Sequence, residues 1–134
     1  MNFFMYLKSK PLQAQLFDTG RYYSKISRLW KRDSTIIFLE KARDTCFIIG
    51  YGVVERAKFR GELSKEEEKY CIYHRYVECL EFRTLIKFNP PAIWSNHKFS
   101  APSKKKTPVH GEKIPQRLLD DVLDYCEERS STQS

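Results

Sequence analysis

Three runs rich in β-branched and aromatic residues stand together in the middle of this chain, and that grouping limits what it can fold into. They cover residues 34–39, 45–54 and 76–88. The first, Ser-Thr-Ile-Ile-Phe-Leu, is too short and too branched for a stable helix. Gly50 and Gly52 inside the second predict a bulge or a close approach by another part of the chain. The third carries Glu78, Glu81 and Arg83 between apolar residues. It reads as one long strand or two short ones, ended by Asn89-Pro90-Pro91.

Helical patterns flank this block. After a first strand over residues 2–8, Ser9 supplies an N-cap and Pro11 is tolerated in the first turn. The helix so begun runs through Leu12, Leu16 and Phe17 to Gly20, which suits a left-handed cap. Residues 21–32 read as a second helix, 41–44 as a hairpin loop, and 61–67 as a loop leading into a short helix. Ser64 and Glu67 form a capping-box pair there. Pro115 opens a last helix with Leu118, Leu119, Val122, Leu123 and Cys126 on one face. Helices at both ends of a block of strands, without regular alternation, predict an α+β fold with a mostly antiparallel sheet that can curl into a small barrel. At 134 residues the chain is one domain, expected over 1–129 with a flexible polar loop at 95–111 and a disordered tail at 130–134.

A composition of 41% hydrophobic and 31% charged residues excludes a disordered chain and a membrane protein. The longest apolar stretch, residues 46–50, is far short of the roughly 18 residues that a spanning helix needs. The opening residues have no basic region before their apolar run and no small-residue cleavage site after it. A soluble, cytoplasmic protein is therefore expected, with no membrane contact. Cys46 and Cys126 read as small core residues. Cys71, His74 and Cys79 match no common zinc spacing, so no metal, cofactor or disulfide is expected.

Charge is unevenly placed. The chain carries 24 Lys and Arg against 17 Asp and Glu; residues 1–60 hold 12 basic and 5 acidic side chains, whereas residues 61–134 hold 12 of each. A one-sided basic field favours an anionic partner. Its densest part is residues 21–32, with five basic residues, three large aromatics and no acid. As a helix, this segment sets Arg21, Lys25, Arg28 and Arg32 on one face, with Lys31 nearby. Tyr22, Ile26 and Leu29 form an adjoining apolar stripe flanked by Tyr23 and Trp30. Cations neutralise phosphates, and aromatic rings stack on unpaired bases. The plainer reading is an amphipathic helix with its stripe on the core and its charges in water.

Residues 27–39, followed by Phe47-Ile48-Ile49-Gly50-Tyr51-Gly52-Val53-Val54-Glu55, resemble the centre of a PUA-like domain of the EVE or ASCH kind. Arg32-Asp33 stands where Gly-Asp is usual. Residues 76–82, Lys87-Phe88-Asn89-Pro90-Pro91 and Lys113-Ile114-Pro115 are similar to later parts of that family. The resemblance implies a pseudo-barrel of five or six strands with flanking helices, and binding of RNA or of a modified base. Carried onto this chain, it implies a pocket lined by Tyr22, Ser27, Arg28 and Trp30, with Trp94 and Asn96 as the opposite wall. A base would stack between Trp30 and Trp94, and Asn96 or Ser27 would read its edge. With Arg21, Lys25, Lys31 and Arg32, these residues make up the expected nucleic-acid site. Two alternatives stand beside it: a small ASCH-like hydrolase acting on a modified nucleoside, and a protein-interaction module using the basic helix. The acidic C-terminal portion of another copy could meet that helix, which leaves a homodimer open.

Overall fold

Ile36-Ile37-Phe38-Leu39 has no polar residue because both faces of its strand are covered. In the computed structural model, which describes residues 1–25 and 31–131 with the side chains of 130 and 131 left aside, this run lies in β3 (Thr35–Ala42). Ile37 and Leu39 point to a core that includes Phe4, Ile48, Phe88, Val122 and Cys126. Ile36 and Phe38 point to the other face, against Met5, Leu7, Leu16, Val54 and Leu80. A strand buried on both sides reads as a continuous apolar run and not as an alternation.

β3 turns back tightly into β4 (Thr45–Phe59), with Arg43 in the left-handed region at φ 57°. β4 pairs in turn with β5 (Glu78–Ile93). β1 (Asn2–Tyr6) lies parallel to β3, and β2 (Arg21–Ser24) lies antiparallel to β5, giving the order β1-β3-β4-β5-β2. Every pairing except β1–β3 is antiparallel. The outer edge of β1 is covered by a returning segment: Gly111 N–H donates to Phe4 O, Phe4 N–H to Glu112 O, and Ile114 N–H to Asn2 O. This removes an open edge at which another chain could add a strand.

Three helices complete the fold. α1 (Lys10–Thr19) starts on Ser9, whose hydroxyl accepts from Leu12 N–H, and stops at Gly20 with φ 73°. α2 (Lys65–His74) starts on Ser64, whose hydroxyl accepts from Glu67 N–H. α3 (Gln116–Ser131) lays Leu119, Val122 and Cys126 on the sheet and runs on into the segment expected to be a tail. No helix of the described residues is long and apolar enough to cross a membrane.

Two expectations are corrected. Residues 21–24 are a strand and not the start of a helix. The left-handed cap at Gly20 redirects the chain, and Tyr22 and Tyr23 then pair with Leu80 and Cys79. Tyr22 packs with the Leu16 cluster and Tyr23 with Cys71 and Cys79, the two-residue alternation of a strand. The rest of the expected basic helix, residues 26–30, lies outside the described residues. Nor does Asn89-Pro90-Pro91 end β5, which continues to Ile93. Lys87 faces Gly50 and Ala92 faces Ile48, so both prolines sit in a register irregularity where no ladder N–H is required.

Candidate functional site

The edge strands β1 and β2 do not pair with each other, yet side chains from both wall a single cleft. Tyr6 closes one side, at the end of β1, with Lys8 just beyond it. Tyr22, Tyr23 and Ser24 of β2 close the other, followed by Lys25. Leu12 of α1, Tyr76 and His110 complete a volume of about 410 Å³. The sheet therefore curls until its two edges face one another across a seam.

The seam is held by hydrogen bonds from distant parts of the chain. Tyr6 N–H donates to His110 Nδ1 at 3.0 Å, and Tyr6 Oη donates to Pro108 O at 2.6 Å. An Nδ1 that accepts this bond places the imidazole proton on Nε2. Burial raises the Tyr6 phenol far above its ordinary value, so the ring stays a neutral donor. Tyr23 Oη donates to a Glu67 carboxylate oxygen at 3.1 Å, and burial pushes its phenol up to about 12. The Tyr23 ring stacks on Tyr76 with centroids 5.7 Å apart.

A second cleft of about 490 Å³ shares Tyr6, Lys8 and His110 with the first. Its outer wall is Lys41, Lys105, Thr107, Pro108 and Val109. Among the described residues, no carboxylate lines either cleft, while Lys8, Lys25, Lys41 and Lys105 all do. Joined cavities with aromatic and apolar walls and only cationic charge suit a flat, anionic ligand.

No family model matches this sequence, and no curated protein does. Solved structures do match in shape. The ASCH protein of Zymomonas mobilis superposes with a TM-score of 0.61 at 11% identity, over 92% of this chain and 94% of its own. The Pho92 YTH domain in complex with m6A gives 0.62 at 14% identity, over 94% and 82%. The YTH domain of Zygosaccharomyces rouxii MRB1, in complex with N6-methyladenosine RNA, gives 0.57 at 16% identity, over 92% and 86%. The fold is PUA-like. At these identities the likeness concerns the fold, and the pseudo-barrel implied by residues 47–55 and 76–91 is the one observed.

Within this fold the expected site residues fall in different places. Tyr22 and Lys25 line the seam cleft. Arg21 instead pairs with Glu67 and, at 3.9 Å, with Glu81. Arg32 pairs with Glu55 at 3.3 Å, beside exposed Lys31. The next residue, Asp33, takes the left-handed conformation (φ 70°) at the turn into β3 and pairs with Arg83. Ser27, Arg28 and Trp30 lie outside the described residues. Trp94 is only 6% exposed, packs against Phe4 and Phe99, and donates from Nε1 to Lys106 O at 3.1 Å. It and Asn96 border a smaller cleft of about 210 Å³ with Cys46 and Lys106, apart from Tyr22 and Lys25. Tyr6, Lys8, Tyr76 and His110 were not anticipated; Tyr6 and His110 lie 104 residues apart, and no local spacing signals their meeting.

The Arg21–Glu67 pair has a measurable consequence. A hydrogen bond from Arg21 holds the Glu67 carboxyl below the usual glutamate value, against burial. Gln13 does the same for Glu40, and Arg83 for Asp33. A carboxyl depressed in the folded state stabilises it above the unfolded value of about 4, and that contribution disappears as pH falls through the folded value. Urea midpoints measured across pH should therefore drop on acidification below about pH 4. The Glu67→Gln variant should show a shallower drop, and a drop equal to wild type would remove Glu67 from the account.

Proposed function

We propose that this domain binds single-stranded RNA and holds one base, a modified one, in the seam cleft. The observation that carries this reading is the cleft itself, in which the aromatic side chains of Tyr6 and Tyr22 stand beside Lys8 and Lys25, with no lining carboxylate among the described residues. An unpaired base gains about 1–3 kcal/mol from stacking on such rings, and lysines attract its phosphates. The volume of about 410 Å³ falls in the range of roughly 300–1,000 Å³ common for small-ligand sites. Two structural neighbours are YTH domains in complex with m6A or with N6-methyladenosine RNA, which makes that base the first probe. The alternative of a protein-binding basic helix loses support, because Arg21 belongs to a strand and is engaged by Glu67 and Glu81.

The test is fluorescence anisotropy with short labelled RNAs, with and without N6-methyladenosine, across a salt series. Lys8 and Lys25 are exposed, so the Lys8→Ala/Lys25→Ala double variant should fold normally. It is expected to bind about tenfold or more weakly, as loss of charge-assisted contacts worth about 1.5–3 kcal/mol each implies. The slope of log K against log salt should flatten by about 0.7 for each phosphate contact removed. Affinity and slope equal to wild type would exclude the seam cleft as the RNA site.

A further inference from the structure

We infer that the two joined clefts hold successive nucleotides of one strand, so that the ligand is an oligonucleotide and not a free nucleoside. This rests on the proposed function and extends it. The seam cleft and the second cleft meet at Tyr6, Lys8 and His110, which line both. Each cavity, at about 410 and 490 Å³, is large enough for one nucleotide. Their walls differ in kind. The first offers the aromatic side chains of Tyr6 and Tyr22, against which a base can pack. The second offers Pro108 and the 41%-exposed Val109, an apolar surface for a second base.

The junction between them has the chemistry of a phosphate site. Lys8 is exposed there and brings a positive charge. His110 accepts Tyr6 N–H on Nδ1 at 3.0 Å, which fixes one wall of the junction. A phosphodiester linking a base in one cleft to a base in the other crosses this junction. Lys41 and Lys105 lie on the far side of the second cleft, where the next phosphate of the strand would arrive. Both are exposed and reach it from unconnected parts of the chain, β3 and the loop before α3. A lone nucleoside leaves the junction and these two lysines unused.

Calorimetric titration of the full chain with N6-methyladenosine, a dinucleotide and a trinucleotide containing it tests this. Affinity is expected to rise about tenfold or more from nucleoside to trinucleotide. The Lys41→Ala/Lys105→Ala variant should abolish the part of that gain that lies between dinucleotide and trinucleotide, and circular dichroism should confirm that it folds. Equal affinity for nucleoside and trinucleotide overturns the inference and leaves, of the proposed function, the base-holding cleft alone. A gain from dinucleotide to trinucleotide that survives the double substitution also overturns it. No binding by any of the three probes overturns the proposed function and this inference together.

Discussion

Gly50→Ala should lower the melting temperature by on the order of 10 °C. A Cβ built on Gly50 would lie 2.3 Å from the carbonyl oxygen of Ile86 and 3.0 Å from the Phe17 ring. The first contact is the decisive one, because it is main chain. Gly50 sits in β4 with β3 on one side and β5 on the other, so neither neighbour can yield without losing ladder hydrogen bonds. Overpacking of this kind costs about 1–3 kcal/mol, and a rigid backbone partner puts Gly50 at the upper end. At this chain length each kcal/mol moves the melt by about 3–5 °C. Gly52→Ala should cost less, since its clash, 2.7 Å to Phe82 Cδ1, is with a side chain that can shift. Gly61→Ala meets nothing within 4 Å and serves as the neutral control. Thermal melts of the three variants check the order, and a Gly50→Ala melt at the wild-type temperature would refute the close approach.

The same glycines show what could be read from the sequence. Two glycines in a strand-like run announce a close approach without saying by what, and the answer was β5, found only in three dimensions. Local signals fared well where the physics is local. Ser9, Gly20 and Ser64 cap their helices as their residue types predict, because a cap is decided within four residues. The segment Arg21-Tyr22-Tyr23-Ser24 misled because its helical spacing of cations says nothing about a partner strand 54 to 60 residues away. Pro90-Pro91 misled for a related reason: a proline ends a strand only if its N–H is needed, and the register at Ile49 makes it unnecessary. The cleft was the least legible part. Tyr22 and Lys25 stand out by charge and aromatic content, whereas their meeting with Tyr6, Tyr76 and His110 in one cleft is decided by curling of the sheet.

Trp94→Ala should destabilise the protein by about 3–5 kcal/mol, the cost of truncating a large buried aromatic. Trp94 forms an edge-on contact with Phe4 at 5.6 Å and a tilted one with Phe99 at 5.3 Å, so it links β1, the end of β5 and the loop before α3. Its indole N–H to Lys106 O is a separable contribution. Trp94→Phe keeps much of the ring packing and should cost clearly less, with about 1 kcal/mol for the lost hydrogen bond. Urea unfolding of both variants measures the difference. Should Trp94→Ala unfold at the wild-type midpoint, the ring would not be the packing element its burial implies. Should Trp94→Phe alone abolish nucleoside binding while leaving stability intact, Trp94 would belong to a ligand site after all.

The cover laid over β1 by residues 111–114 has a consequence for how the protein emerges during synthesis. Asn2, Phe4 and Tyr6 leave the ribosome before the rest of this sheet, yet their partners at His110, Glu112 and Ile114 come more than a hundred residues later. Contacts of such separation close late, after the β3–β4–β5 meander has had time to pair. Nascent chains stalled before His110 lack one wall of the seam, so the cleft takes its shape only after the β3–β4–β5 core of the sheet has been made.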